Sequence, residues 1–331
     1  MSDNVLEVKH LRIEFPTRKG TLVAVDDVSF DIKEGEILGL VGESGAGKSL
    51  TGAAVIGLLE PPGRIAAGEI IVAGRRVDGL SNAQMSHVRG AMIGAIFQDP
   101  LTSLDPLMTI GDQLIETIER HLHLPKDKAK ERAIELLART GIPAPEKRLG
   151  HYPHQFSGGM RQRVVIALAL AAKPRLIIAD EPTTALDVSV QAQIIDLLKS
   201  LTAESDAGVL LVTHDMGVIA ETVNRVAVMY AGRIVEIGPV AEVLHHPKHP
   251  YTKGLMAAIP DMTESGEFLH QIEGSMPSLA KIPSGCAFHN RCPRACERCV
   301  AERPPLTERG PQHSVACWLS EKHDASEENH D

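Results

Sequence analysis

Glu36-Ile37-Leu38-Gly39-Leu40-Val41 passes directly into Gly42-Glu43-Ser44-Gly45-Ala46-Gly47-Lys48-Ser49, and this junction constrains the fold more than any other stretch. An apolar run without alternation suits a strand buried on both faces, the environment of a parallel sheet. The glycines let the backbone turn tightly with its N–H groups facing inward, and a helix starting at Lys48 adds the positive end of its dipole. That helix is expected over residues 48–59, until Pro61-Pro62 ends it. Strand, loop and helix in this order belong to an α/β fold, because parallel strands are joined by crossovers that lay helices on the sheet.

The loop matches G-x4-G-K-S, a pattern whose chemistry is the cradling of a phosphate chain. Lys48 supplies a point charge for the β- and γ-phosphates of a nucleotide, and Ser49 a hydroxyl for Mg²⁺. Leu176-Ile177-Ile178-Ala179 followed by Asp180-Glu181 sets two carboxylates at the C-terminal end of a buried strand, where ligands of open α/β sheets sit. Solvated charge closing an ordinary strand is the other reading of those residues, and the phosphate loop weighs against it. Ser157-Gly158-Gly159 opens a helical stretch over residues 160–172 and offers a second anion-binding helix start, although one nucleotide needs only one. Alone, it also reads as a capped structural helix. Gln98 in Ile96-Phe97-Gln98-Asp99-Pro100 and His214 in Val212-Thr213-His214-Asp215 would singly be ordinary polar residues.

Residues 6–32 alternate and carry Val, Ile and Phe, which reads as short antiparallel strands. Between residues 99 and 154 the period turns helical. Leu114, Ile115 and Ile118 share one face, Ile134, Leu137 and Ala138 another, and Gly141 is placed as a C-terminal cap. Strand-type sequence returns at 175–179 and 209–213, and a hairpin of 226–230 and 233–237 around Ala231-Gly232 closes the core. Past Gly238, prolines 247, 250, 260, 277 and 283 deny the chain long regular elements, so a separate segment is expected over 239–320. Residues 321–331 are charged and read as a disordered tail. There is no internal repeat. The net charge of −9 over 331 residues argues against a nucleic-acid backbone as partner. The start lacks the basic-then-apolar pattern of a secretion signal, and the longest uncharged apolar run, 164–172, is too short to span a bilayer, so a soluble cytoplasmic chain is expected.

In order and spacing these motifs resemble the nucleotide-binding cassette of the ABC transporters. Gly158-Gly159-Met160-Arg161-Gln162-Arg163 resembles the peptide-importer branch in particular, and the likeness runs from Val5 to Cys317. It implies a P-loop NTPase fold with a parallel core sheet, an antiparallel N-terminal β-subdomain and an inserted helical subdomain over 99–158, within a nucleotide-binding domain of residues 5–238. It implies ATP bound at 42–49, Mg²⁺ held by Ser49, Asp180 and Gln98, Glu181 as general base, and His214 on the γ-phosphate. Ser157, Gly158 and Gly159 would bind the γ-phosphate of ATP held by the opposite subunit. Asp187, in Ala185-Leu186-Asp187, falls in the loop that speaks across that dimer. The family's signature commonly begins with Leu and ends with Gln. Here Phe156 and Met160 stand there, which leaves Ser157 and the backbone donors. Only Phe15 and Phe30 are aromatic before the phosphate loop. Phe30 reads as core, and Phe15 as the aromatic that stacks on adenine, or else as simple packing. The implied partners are a second ATPase subunit, identical or paralogous, two membrane permease subunits and an extracytoplasmic solute-binding protein, with the chain peripheral on the cytoplasmic face of the inner membrane. Peptide cargo is implied. Nickel, glutathione, or a non-transport role on ribosomes or DNA are the alternatives.

All five cysteines, 286, 292, 296, 299 and 317, fall in the C-terminal segment, and disulfides are not expected in a cytoplasmic chain. Their spacing lacks the paired C-x2-C of zinc ribbons, although Cys296 and Cys299 give one half. With His249-Pro250-Tyr251-Thr252 upstream, the segment resembles the C-terminal extension of oligopeptide and dipeptide importer ATPases, some of which hold a four-iron cluster. The resemblance implies Cys286, Cys292, Cys299 and Cys317 as ligands of a 4Fe-4S cluster and Cys296 as the extra residue. Zinc and free thiols are the alternatives. His245, His246 and His249 are interrupted by prolines and read as no metal site.

Overall fold

The computed structural model describes residues 3–184, 187–258 and 272–321. The alternating N-terminal segment forms two strands of 14 residues each, β1 (Asn4–Thr17) and β2 (Gly20–Lys33), longer than the short strands expected. Several register shifts along their pairing bend them. β3 (Ile37–Val41) is buried at every residue. The helix after the phosphate loop is Lys48–Val55 and stops before residue 59. Gly57, at φ 66°, turns the chain there, a conformation that costs glycine nothing, so the prolines at 61 and 62 are not what ends the helix. Then follow β4 (Arg64–Val72), the two-residue β5 (Arg75–Arg76) and β6 (Ile93–Ile96), which the periodicity did not announce. One antiparallel sheet has the order β2-β1-β4-β5.

The helical insert comprises Pro100–Ser103, Ile110–Leu122, Lys126–Arg139 and Pro145–Arg148. The Thr109 hydroxyl accepts from the Asp112 N–H at the start of the second helix, a cap worth about 1 kcal/mol. Leu114 and Ile118 are buried as expected. The next helix buries Ala133, Leu136 and Leu137, while Ala138 faces solvent, so its inner face is rotated from the one expected. Gly141, at φ 74°, follows the C-cap Thr140.

β7 (Leu176–Asp180), β8 (Gly208–Val212), β9 (Arg225–Tyr230) and β10 (Arg233–Pro239) complete the core. Ala231 and Gly232, at φ 47° and 80°, form the turn between β9 and β10, both in the left-handed region a two-residue hairpin favours. β3 runs parallel to β8 and β9, and β7 parallel to β6 and β8. The C-terminal segment is not separate from this core. Its β11 (Thr307–Gly310) and β12 (His313–Val315) pair with each other, and β12 pairs with β10, giving an eight-stranded sheet in the order β11-β12-β10-β9-β3-β8-β7-β6. The helices Val240–His245, Pro250–Ala257 and Glu297–Ala301 are short, with Pro247 and Pro304 following the first and the third.

Glu236 fastens the segment to the sheet. It lies fully buried on β10 and accepts from the backbone N–H groups of Lys248 (2.8 Å) and His249 (3.0 Å) and from His313 Nε2 (2.8 Å). Burial pushes its carboxyl up, but the hydrogen bonds, His313 foremost, outweigh that and hold it below the ordinary range. Residues 185, 186 and 322–331, including most of the expected tail, lie outside the described residues. Among the described residues no helix is long and apolar enough to cross a membrane.

Candidate functional site

The loop after β3 wraps against β9. A Cβ on Gly42, at φ 150°, would lie 2.2 Å from the carbonyl oxygen of Met229, so only glycine fits there. Lys48 is buried, and its Nζ donates to the carbonyls of Gly42 (2.7 Å) and Glu43 (3.1 Å). Burial lowers its pKa against the opposing pull of Glu181, Asp180 and Glu43. Glu181, Asp180 and Glu43 thus help keep the buried ammonium charged, and that charge is what a phosphate chain entering the loop would meet.

β6, β7 and β8 are neighbours in the sheet, so the residues just past their C-terminal ends stand side by side. Past β7, Glu181 takes φ 46°, a left-handed conformation costing a non-glycine residue about 1 kcal/mol or more. Its Oε2 accepts from Gln98 Nε2, past β6, at 3.1 Å and from Thr184 Oγ1 at 3.0 Å. Its Oε1 lies 3.0 Å from His214 Nδ1, past β8. Burial alone would raise its pKa. The hydrogen bonds from His214 and Thr184 and the charges of His214 and Lys48 outweigh burial and hold the carboxyl below its ordinary value, so Glu181 is ionised at neutral pH. Asp180 is shifted the other way, chiefly by burial and then by the charge of Glu181, against a hydrogen bond from Ser49. Ser49 Oγ donates to Asp180 Oδ1 at 3.0 Å. This pair of hard oxygens beside Lys48 suits Mg²⁺, which takes one or two protein oxygens and completes its shell with phosphate and water. Gln98 directs its amide at Glu181.

Phe15 lines a cavity with Ser49, Phe97 and Asp180. Sequence reasoning missed Phe97, 40% exposed beside Gln98, and Thr184, three residues past Glu181. Ser157 caps the helix Gly158–Ala169, its hydroxyl accepting from the Met160 N–H at 3.4 Å, and faces solvent. Among the described residues no hydrogen bond ties Ser157, Gly158 or Gly159 to the phosphate loop of the same chain. Asp187 precedes the helix Val188–Ser205 without a side-chain cap bond and is exposed.

Cys286, Cys292, Cys299 and Cys317 line one narrow cavity with His289 and Trp318, whereas Cys296 is exposed, its Sγ 3.5 Å from that of Cys299. Burial pushes Cys286 up to about 11, and raises Cys292, Cys299 and Cys317 as well. These are protonated thiols at neutral pH unless a metal displaces the protons. Among the described residues no three His, Cys, Asp or Glu side chains are grouped to hold a single metal ion. A lone zinc would need its sulfurs about 2.3 Å from one centre. A four-iron cluster would take each thiolate on a separate iron. His245 and His246 are exposed and His249 is buried.

Two family profiles match the chain: "ABC transporter" over residues 25–184 and "Oligopeptide/dipeptide transporter, C-terminal region" over 235–299. The dipeptide transport ATP-binding protein DppD of Bacillus subtilis is 46% identical over 321 residues, covering 97% of this chain and 96% of its own length. The chain belongs to the ATP-binding proteins of the oligopeptide/dipeptide ABC transporters. Within this ABC family, the oligopeptide transport ATP-binding protein OppD of Escherichia coli is 46% identical over 317 residues, 96% of this chain and 94% of its own. Among solved structures, the ATP-binding cassette MJ0796 in a dimeric post-hydrolysis state bound to ADP and Pi matches with a TM-score of 0.64 at 29% identity, covering 71% of this chain and 98% of that one. The cassette cbiO1 of Clostridium perfringens, part of the ABC transporter complex cbiONQ, matches with a TM-score of 0.64 at 29% identity over 74% of this chain and 92% of that one. As an ABC transporter ATPase, the chain binds ATP with Mg²⁺ and couples its hydrolysis to transport.

Proposed function

We propose that the chain is the ATPase subunit of a peptide importer, peripheral on the cytoplasmic face of the inner membrane, pairing with a second ATPase and driving two permease subunits fed by a solute-binding protein. The observation that carries the catalytic part is the convergence of Gln98, Thr184 and His214 on Glu181, beside Lys48 and the Ser49–Asp180 pair. Residues 42–49 hold the phosphates, with Phe15 against the adenine. Ser49 and Asp180, with Gln98 in reach of the same strand ends, hold Mg²⁺, which supplies charge neutralisation to the phosphates. Glu181, ionised and oriented by its partners, accepts the proton of the attacking water, and His214 contacts the γ-phosphate. Ser157, Gly158 and Gly159 serve ATP held by the partner subunit, with Asp187 at the same interface; the exposure of Ser157 and Gly158 at the start of a 12-residue helix supports that reading. The nucleotide-binding domain is taken as 5–238, with its helical subdomain at 99–158 receiving the permeases, and the extension as 239–320. Peptide cargo rests on the likeness to DppD and OppD.

The test is Glu181→Gln. The variant keeps ATP affinity, loses turnover by on the order of 100-fold or more, as removal of a positioned general base does, and accumulates as an ATP-bound dimer on gel filtration. Turnover at the parent rate would remove Glu181 from the mechanism.

The four cavity-lining thiols are proposed as the ligands of a 4Fe-4S cluster. Anaerobic purification then yields brown protein containing iron and sulfide, and Cys299→Ser yields colourless protein. A colourless parent carrying zinc contradicts the assignment.

A further inference from the structure

The phosphate loop is held from outside the nucleotide core by two residues of the C-terminal extension that no catalytic role has used. Tyr251 follows Pro250 at the start of its helix and is fully buried; its hydroxyl accepts from the backbone N–H of Glu43 at 2.9 Å. Arg291, its side chain 7% exposed, pairs through Nη1 with Glu43 Oε2 at 2.9 Å. The rest of the guanidinium is committed too. Nε donates to the carbonyl of Glu273 at 2.8 Å and Nη2 to that of Ile272 at 3.2 Å, so the fork has one orientation. Its Cζ lies 5.8 Å from the ring centroid of Tyr230 and 5.9 Å from that of Phe288, and those rings pack edge-on to each other. Phe288 also lines the cavity shared by Cys286 and Cys292.

Glu43 is the second residue of the loop, and its charge reaches Lys48. An unpaired carboxylate there opposes a phosphate chain, and a cation beside it removes that opposition. The Glu43 N–H, given to Tyr251, is turned out of the cradle, leaving phosphate binding to the N–H groups further along the loop.

We propose that Arg291 and Tyr251 are positioning residues for the phosphate loop, by which the extension neutralises and orients Glu43 and so sets the affinity of the cassette for ATP. The inference rests on the reading of residues 42–49 as the ATP site. The test measures Mg²⁺ and mant-ATP binding to the full chain by fluorescence. R291M weakens binding on the order of tenfold, the scale of one lost well-placed charge partner. Y251F weakens it about threefold, through one partly buried N–H left without its acceptor. R291K, which keeps the charge and loses the fork, falls between parent and R291M. In the E43Q background, R291M changes the affinity by less than about twofold, because the charge it offsets is gone. An R291M that melts with the parent and binds mant-ATP equally well overturns the proposal. So does an equal loss in both backgrounds, which would mark Arg291 as merely structural. If R291M does not fold, parent-like affinity in both Y251F and R291K overturns it. K48A separates the two levels: normal binding by K48A removes the ATP-site reading itself, whereas lost binding by K48A beside unchanged R291M removes only the clamp.

Discussion

Single residues at this site are constrained by backbone as much as by side chain. Gly42 combines φ 150° with a Cβ position 2.2 Å from the Met229 carbonyl, so a methyl group there meets a strand that is itself hydrogen-bonded and cannot retreat. Gly42→Ala is expected to destabilise the chain by about 2 kcal/mol or more and to lose ATP binding; the urea midpoint and a nucleotide titration check both. Glu181 bears a comparable local strain and keeps it because Gln98, Thr184 and His214 hold its carboxylate from three sides. The motif residues were legible as residue types at fixed spacing, because a phosphate loop and a strand-end acid pair are local patterns. Thr184, Tyr251 and Arg291 were not. Nothing within a few positions of Tyr251 says that its hydroxyl meets a loop more than 200 residues earlier.

At the scale of elements, the helix Pro250–Ala257 shows a titratable cap. His249 is buried, and its Nδ1 accepts from the Tyr251 N–H at 3.0 Å, which requires the neutral ring. Burial, opposed by the charge of Glu236, lowers its pKa from 6.5 to about 4. The sign follows from the depressed value. Above pH 6.5 neither folded nor unfolded chain carries the proton and the cap is intact. As pH falls from 6.5 to about 4 the unfolded chain takes a proton that the folded chain refuses, and stability drops. The loss is about 3 kcal/mol in all. Urea midpoints measured at intervals across this range should fall with pH for the parent and much less steeply for His249→Asn, which caps without titrating; parallel slopes would contradict it. Where periodicity misread elements, a local competitor won. Gly57 stopped a helix that the prolines were expected to end, and the inner face of Lys126–Arg139 turned to bury Leu136 in place of Ala138.

For the whole molecule, strand order is the decisive variable. The chain writes β6, β7 and β8 far apart, and the sheet sets them in adjacent places, which is why Gln98, Glu181 and His214 meet. The C-terminal segment read as separate because prolines and cysteines change its composition. Two short strands and the buried Glu236 instead make it the edge of the core sheet and bring Tyr251 and Arg291 to the phosphate loop. The sequence by itself determined the α/β class, the phosphate loop with Lys48 and Ser49, the acid pair and the capped second helix, since each is encoded by spacing and torsional preference over a few residues. Only the tertiary structure decided which side chains surround Glu181, how the cysteines gather and what holds Glu43, because these depend on sheet order and on hydrogen bonds between residues that share no local pattern.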